Sequence, residues 1–327
     1  MIFMSNGNKW VAPINKFGQL LALGCALLVS TGVRSQPIDS WASPLYLQHE
    51  LVGKIWHSKS KSFVTPAELN SAILASRIVM LGEKHDNPDH HALQMVLLKF
   101  MQSTGSLASV SFEMLDSTAR EGAGSLLGNA SLDDAQLRAI LNWDEAGWRW
   151  DHYGPMLRFL VDESVPVIPA NISRQEMSEV YASELSPEIV GVLNEQQQQR
   201  LEIDIDESHC GMLPTSQFPA MIRVQQARDD SMARSLQSAS VDGMTVLIAG
   251  NYHARRDLGV SNYLLAQNVG LESEDILAIS FMEVQPDVTN PEEYLDAVGS
   301  VPAYDYIWFT PAVTNEDYCA SLRPSTN

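Results

Sequence analysis

The sequence has 327 residues, of which 45% are hydrophobic, enough for one large domain or a domain with a sizeable insert. It carries 21 basic and 40 acidic residues, a formal charge of −19 at pH 7. A surface this acidic repels nucleic acid and anionic membranes, so neither is expected as a partner.

Residues 1–35 are predicted to be a secretory signal peptide. Lys9 and Lys16 precede an apolar run, Leu20 to Val29, and small or permissive residues precede the expected cleavage point. The apolar run is shorter than the roughly 20 residues that a membrane-spanning helix needs. The sequence therefore predicts an exported, periplasmic protein whose mature chain begins at Gln36.

A lipid-anchored alternative stays open at Cys25, which follows Ala22-Leu23-Gly24 as in a lipoprotein leader. The match is imperfect, since Leu is expected where Ala22 stands and Cys25 lies inside the apolar run. Cleavage before Gln36 removes three basic residues and no acid. The mature chain then has 18 basic and 40 acidic residues, a formal charge of −22.

After the leader, residues 36–63 have a mixed composition and are expected to form an irregular arm. Thr65-Pro66-Ala67-Glu68 is typical of a helix start, with Thr65 as N-cap and Glu68 completing a capping box. That helix is predicted to end at about Ala75. Further helices are predicted from Pro88, over Asp133 to Leu141 and over Pro155 to Asp162.

Six short apolar segments are predicted to be strands, because strands buried on both faces are continuous apolar runs. They are Arg77 to Leu81, Ala108 to Met114, Pro166 to Ala170, Thr245 to Ala249, Ile276 to Val284 and Tyr304 to Phe309. Strands separated mostly by helices indicate an α/β fold. We expect one domain over residues 36–327, with a largely parallel central sheet flanked by helices. Residues 172–240 contain no good strand and are predicted to be a helical insert or cap over the sheet edge.

Ionisable side chains are concentrated directly after the first predicted strand. Gly82-Glu83-Lys84-His85 follows that strand, and Gly250-Asn251-Tyr252-His253 follows the strand that starts at Thr245. Glu113 lies near the end of another strand. Because parallel strands place their carboxyl ends at one edge of the sheet, Glu83, His85, Glu113 and His253 are expected to converge there.

Such a cluster needs a positive charge or a metal to offset its two carboxylates. Arg255 or Arg256, just beyond His253, is the expected neutraliser. Imidazole and carboxylate groups also ligate divalent metals and serve as acid and base. Cys210 and Cys319 are the two cysteines of the mature chain, and a disulfide and two separate thiols stay equally open.

Six segments of the chain resemble ChaN-type haem-binding proteins, which form a wider group with Tiki-type metalloproteases, TraB proteins and erythromycin-esterase-like enzymes. They are LGEKHDNPDHH at 81–91, FEM at 112–114, HCGMLP at 209–214, ARDDSMA at 227–233, AGNYHARRDLGV at 249–260 and IWFTP at 307–311. These matches run in order from about residue 78 to 320, nearly the whole mature chain.

This resemblance implies an exported protein that binds haem, as haem b, and takes part in iron acquisition. It implies iron ligation by a tyrosine with help from a histidine, and a homodimer that holds two stacked haems. An outer-membrane haem-uptake system is the implied partner. Tyr153, close to Trp148 and His152, is the first candidate ligand, and Tyr181, beyond Arg174, is the second. His209 is the candidate assisting histidine.

The alternative function is a hydrolase of the wider group, dependent on a divalent metal. Glu83 or Glu113 would then deprotonate water, while His85 and His253 would hold the metal or stabilise developing charge. The segments specific to ChaN-type proteins favour haem over this alternative.

Overall fold

The sheet of this protein has six parallel strands and an antiparallel hairpin at one edge. The computed structural model describes residues 40–129, 131–237, 243–268, 270–295 and 297–322. The predicted leader, Cys25 and Gln36 lie outside these residues. The strands of the described part are β1 Ile55–His57, β2 Ser62–Val64, β3 Ile78–Glu83, β4 Leu107–Asp116, β5 Val167–Asn171, β6 Met244–Gly250, β7 Ile276–Glu283 and β8 Tyr306–Thr310.

The strand order is β2-β1-β8-β7-β3-β6-β4-β5, with every pair from β8 to β5 parallel. This confirms the predicted α/β fold and all six predicted strands, within two residues at most ends. The hairpin β1–β2 pairs antiparallel with β8. The expectation of an irregular arm over residues 36–63 is therefore wrong in part, because strands of three residues are too short to show a periodic pattern.

Helices cover both faces of the sheet. They are α1 Pro66–Leu74, α2 Pro88–Ser103, α3 Arg120–Gly124, α4 Asp134–Ile140, α5 Trp150–Asp162, α6 Arg174–Ala182, α7 Pro187–Val190, α8 Glu195–Ser208, α9 Phe218–Gln237, α10 Asn251–Ala254, α11 Val260–Gln267 and α12 Tyr318–Leu322. Short 3-10 helices lie at Ser117–Ala119, Thr215–Gln217, Ser273–Asp275 and Pro291–Tyr294. No helix within the described residues is long and apolar enough to cross a membrane.

Local sequence explains most of the helix starts. Thr65 and Glu68 form the predicted capping box at α1, where the Glu68 carboxylate accepts the Thr65 N–H at 2.7 Å. At α2 the side chain of Asn87 caps the first turn, and Pro88 follows at the first helical position. The predicted start of α5 at Pro155 is wrong, because the helix begins at Trp150 and carries Pro155 inside it.

Strand β3 is buried on both faces, as predicted from its apolar sequence. Its residues alternate between two apolar clusters, with Val79 and Leu81 in one and Ile78 and Met80 in the other. The first cluster includes the inner side of α2 and α5, and the second includes α9 and α11. Because β3 lies between β7 and β6, its carboxyl end is at the centre of one sheet edge.

The described residues between 172 and 237 contain four helices, α6 to α9, and no strand. Helix α9 packs against β5, the last strand of the sheet, which agrees with a cap over the edge. Just after α8, Cys210 forms a disulfide with Cys319 of α12, with a Cα–Cα distance of 5.5 Å. Of the two alternatives for these cysteines, the structure has the disulfide.

Candidate functional site

Glu83, the last residue of β3, is buried and in contact with three ring side chains. Its Oε1 accepts the hydroxyl hydrogen of Tyr153 at 2.5 Å and lies 2.8 Å from Nδ1 of His85. Its Oε2 has no hydrogen bond of good geometry, and it lies 3.1 Å from Nδ1 of His91. The carboxylate is thus surrounded by donors rather than exposed to solvent.

Glu83 is held in its ionised form by its neighbours. Burial alone would raise the pKa of this carboxyl, but the charges and hydrogen bonds of His91 and His85 lower it well below its ordinary value. Conversely, burial lowers the pKa of both histidines, and the Glu83 carboxylate outweighs this and raises it. One buried anion is therefore balanced by imidazoles on two sides.

His91 has an acceptor at each ring nitrogen. Its Nε2 donates to the backbone carbonyl of His85 at 3.0 Å, while Nδ1 faces Glu83 and the Oε1 of Gln94 at 3.3 Å. A neutral imidazole has a single N–H, so this geometry favours the protonated ring. His91 is thus the main positive charge beside Glu83.

Glu113 forms the second half of the site from β4. It is buried, its Oε1 accepts a hydrogen bond from Arg228 of α9, and its Oε2 accepts the N–H of Gly250 at 2.7 Å. His253 lies 3.5 Å and His85 3.9 Å away. Burial raises the pKa of Glu113, but His253, Arg228 and His85 together lower it to about 2.

His253 of α10 is paired with a carboxylate on its far side. Its Nδ1 lies 2.6 Å from Oδ1 of Asp229 and 3.1 Å from Nε2 of Gln225. Burial raises the pKa of Asp229, with His253 opposing that effect. The ring is therefore held between Asp229 and Glu113, with Nε2 directed to Glu113.

The four residues predicted to converge do so. They line a cavity of about 610 Å³ at the carboxyl edge of the sheet, which α8 and α9 bound on the other side. Leu201, Ile205 and Met282 add apolar surface, and Tyr252 donates to Asp204 at 2.8 Å within the same wall. His85 is 37% exposed and is the most accessible of the four. Cavities of this size accept small organic ligands.

The glycines of the two Gly-x-x-His motifs provide space. A Cβ on Gly250 would lie 2.8 Å from Nε2 of His85, and one on Gly82 would lie 2.5 Å from Oδ1 of Asn251. Gly250 has φ −57°, which any residue adopts. These positions need glycine because side chains from neighbouring strands pass over them.

The expected neutraliser of the site is wrong. Arg255 is paired with Asp257 and Arg256 with Asp305, so neither neutralises the site. Arg228 does so instead. Within the described residues, no group of three or more His, Cys, Asp or Glu side chains is arranged to hold a metal ion. Metal ligation by Glu83, Glu113, His85 and His253 stays a prediction.

Two of the candidate haem residues have quite different surroundings. Tyr153 is 1% exposed, and burial together with the adjacent Glu83 raises its pKa far above the ordinary value. An iron-bound phenolate needs access and a low pKa, and this conformation gives Tyr153 neither. Tyr181, near the end of α6, is 40% exposed.

The other two candidates lie outside the buried cluster. The side chain of Arg174 is 83% exposed and pairs with Asp144 at 2.7 Å. His209 follows α8, and its Nδ1 donates to the carbonyl of Ile205 at 2.7 Å, which leaves the Nε2 lone pair available.

Sequence reasoning did not single out Arg228 or Asp229 as members of the site, whereas His91 belongs to the concentration of ionisable residues noted after the first predicted strand. A signal for Asp229 was present. It lies four residues after Gln225 and three before the buried Met232, at helical spacing. A charge at such a position indicates a buried partner, here His253.

Comparison with solved structures agrees with the α/β fold. Among solved structures, the chain is similar to ChaN of Campylobacter jejuni, described by its cofacial haem binding, with a TM-score of 0.64, 22% identity and coverage of 78% of this chain and 95% of that one. It is also similar to a mutant of erythromycin esterase EreC in its open conformation, with a TM-score of 0.45, 14% identity and coverage of 77% and 95%. No curated protein sequence matches significantly.

The family comparison covers more than half of the chain. Residues 69–264 match the model of the family described as haem-binding uptake, Tiki superfamily, ChaN. That segment contains β3 to β6 and every residue of the buried cluster. The chain therefore belongs to the ChaN family of haem-binding uptake proteins, in the Tiki superfamily.

Proposed function

We propose that this protein binds ferric haem b on the outer face of α6, with Tyr181 as the iron ligand, and acts in haem uptake outside the cytoplasm. The proposal rests on the exposure of helix α6, which has no buried residue and presents Tyr181 to solvent. A phenol in this position can reach the iron of a haem lying on the surface. Membership of a haem-binding family supports haem as the bound group.

The surroundings of Tyr181 suit an anionic, flat ligand. Arg174 and Tyr181 are seven residues apart, so they lie on the same face of α6, about 10 Å apart along its axis. A haem held at Tyr181 would bring a propionate towards Arg174, in competition with Asp144. Arg223 donates to the carbonyl of Tyr181 at 2.9 Å and adds positive charge to this face.

A second copy of the chain is the proposed cover for this face. Helix α7 also has no buried residue, and Val190 on it is 36% exposed. Helices that leave apolar side chains exposed are typical of surfaces that are covered on assembly. We propose a homodimer whose two haems stack between the α6 faces, with His209, through its Nε2, as the assisting histidine.

The cellular setting is proposed from sequence and the disulfide. A Cys210–Cys319 disulfide is expected in an oxidising compartment such as the periplasm. This agrees with the leader over residues 1–35, and Cys25 would supply a lipid anchor in the alternative form. The proposed role is delivery of haem from an outer-membrane uptake system.

Titration of the purified mature protein with haemin tests the function. We expect a saturable absorption change of the tyrosinate type, with one haem per chain and a shift to dimer in sedimentation velocity. A titration that gives only the spectrum of free haemin would overturn the proposal.

A second candidate function, ester hydrolysis, is favoured by one observation: the imidazoles of two carboxylate–imidazole pairs, Glu83–His85 and Asp229–His253, line the same cavity. Glu83 is buried and Glu113 has both oxygens engaged by protein donors, so the accessible His85, in its neutral form, is the better base. Its Nε2 would take a proton from water as the water oxygen bonds to the acyl carbon. The departing alkoxide would receive a proton from His253. Hydrolysis of p-nitrophenyl esters that persists in EDTA and is lost in His85→Asn would support it, and no hydrolysis above that of His85→Asn would exclude it.

A further inference from the structure

A second cavity, of about 440 Å³, lies at the opposite side of the cap, over the outer edge of β5. We call it the edge groove and define it by Arg120, Ala123, Leu127, Val167, Pro169 and Arg234. It lies where α3 and α9 pack on β5 from different apolar clusters. The edge groove shares no residue with the Glu83–Glu113 cavity.

The lining of the edge groove is mostly apolar and partly open. Leu127 is 52% exposed, one of the largest values for an apolar side chain in the described part of the chain. Val167 and Pro169 come from β5 and Ala123 from α3. An apolar ligand that covers the exposed Leu127 side chain would therefore gain free energy.

Arg120 gives the groove a positive charge that acts on the Glu176 carboxylate without a direct ion pair. Among the arginines within the described ranges, it alone forms no ion pair within 4.0 Å, whereas the other groove arginine, Arg234, pairs with Asp230 at 2.8 Å. In a chain with 40 acidic residues, an unpaired guanidinium is unusual. It is available for a ligand carboxylate, with which arginine forms paired hydrogen bonds.

We propose that the edge groove binds a long-chain carboxylate, a free fatty acid, with its carboxylate on Arg120 and its chain along Leu127 and Val167. An apolar groove with one unpaired cation complements an amphiphile with one anionic end. A peptide added as an extra strand fits less well. Pro169 has no N–H, and a strand that carries proline offers an interrupted ladder to a partner.

Calorimetric titration of the full mature chain with dodecanoate tests this assignment. We expect saturable binding of one dodecanoate per chain, at least tenfold weaker in Arg120→Gln and unchanged in Arg149→Gln, an exposed arginine paired only with Asp151. Methyl dodecanoate, which has the same chain without the charge, is expected to bind at least tenfold more weakly. Unfolding curves of the two variants should superimpose on that of the wild type, because both side chains are at the surface.

The same titration with haem-saturated protein separates this site from the proposed haem face. Dodecanoate binding that is unaffected by haem and by Tyr181→Phe supports a separate groove, and it can succeed even if haem binding fails. Binding that haem abolishes, that Arg120→Gln leaves intact or that is absent altogether overturns the proposal. Capture of an extended peptide in place of dodecanoate would overturn it as well.

Discussion

Tyr153 donates its hydroxyl hydrogen to the buried Oε1 of Glu83 at 2.5 Å, in a contact that spans 70 residues of sequence. A phenol that donates to an anion is held neutral, since loss of its proton would place two negative charges together. The contact therefore assigns Tyr153 to the support of Glu83, and Tyr181 is the accessible one of the two candidate ligands.

The two tyrosines should separate stability from haem binding. Tyr153→Phe is expected to lower the free energy of unfolding by about 1.5 to 3 kcal/mol, the usual value of a hydrogen bond to a charged group, and to leave the haemin spectrum unchanged. Tyr181→Phe should abolish the tyrosinate spectrum and leave stability unchanged. Urea unfolding and haemin titration measure both. A spectrum lost in Tyr153→Phe and kept in Tyr181→Phe would return the ligand to the cluster.

Substitution of Arg228, the arginine of the buried cluster, should lower the free energy of unfolding. Arg228→Gln leaves Glu113 with less compensation in a buried position, and we expect a loss of about 3 kcal/mol in the free energy of unfolding. Arg149→Gln is the matched control, because its pair with Asp151 is exposed on both sides and should leave stability unchanged. Equal effects of the two changes would contradict the assignment of Arg228 as the neutraliser.

His90 and His91 are adjacent in sequence, but their contributions to the stability of the fold should change with pH in opposite directions. Burial lowers the pKa of His90 to about 3, with its Nδ1 accepting the Lys84 N–H at 2.9 Å, so it is neutral in the fold. Its contribution to stability is present above pH 6.5 and is lost as pH falls from 6.5 towards 3. The pKa of His91 is raised by Glu83, so its contribution is present below pH 6.5 and is lost as pH rises through the folded value.

Melting temperatures of His90→Asn and His91→Asn from pH 4.5 to 8.5 measure this difference. The deficit of His91→Asn relative to wild type should shrink towards alkaline pH, and the deficit of His90→Asn should shrink towards acidic pH. Parallel curves for the two variants would show that the rings share one protonation state.

Loss of the disulfide should destabilise the fold through the chain entropy of the unfolded state. The cysteines are 109 residues apart, and closing a loop of that length is worth about 4 to 5 kcal/mol in the loop-entropy treatment. Cys210→Ser combined with Cys319→Ser should therefore lower the melting temperature markedly, while reductant should not affect this variant further. A melting temperature equal to that of the wild type would show that the bond does not form in solution.

The predicted signal peptide implies a defined first residue for the mature chain. Intact mass measurement of the protein secreted by its natural host is expected to show a chain that begins at Gln36. A diacylated Cys25 at the new terminus would replace soluble export with a lipid anchor.

The fold was predictable because the parallel strands are buried on both faces, and their sequences are therefore continuous apolar runs. The convergence of Glu83, Glu113 and His253 followed from the same fact, since each lies at or just after the end of such a run. The partners of these residues were not predictable in this way. Arg228 and Asp229 come from α9, and only the docking of that helix brings them to β4 and α10. Arg255 and Arg256 were expected as partners from closeness in sequence, but they turn away towards Asp257 and Asp305.

Tyr153 shows a second limit of sequence reasoning. Its neighbours Trp148 and His152 made it the first candidate ligand, but the same residue types pack equally well inside a core. Trp143 and His91 lie within 6 Å of its ring and enclose it. Whether an aromatic segment faces a ligand or the interior depends on the helix that carries it. Here α5 begins earlier than predicted and includes the residue.

The position of β3 in the sheet has a consequence for dissecting this protein into fragments. The family match ends at residue 264, before β7 and β8, yet β7 pairs directly with β3 over Ile78 to Gly82. Asn87 also donates to Glu283 of β7 and to the carbonyl of Pro311. A polypeptide of residues 69–264 would leave the backbone of the buried strand β3 unpaired on the side of β7, and we expect it to aggregate. The segment matched by the family, residues 69–264, is therefore shorter than the segment expected to fold, which includes β7 and β8.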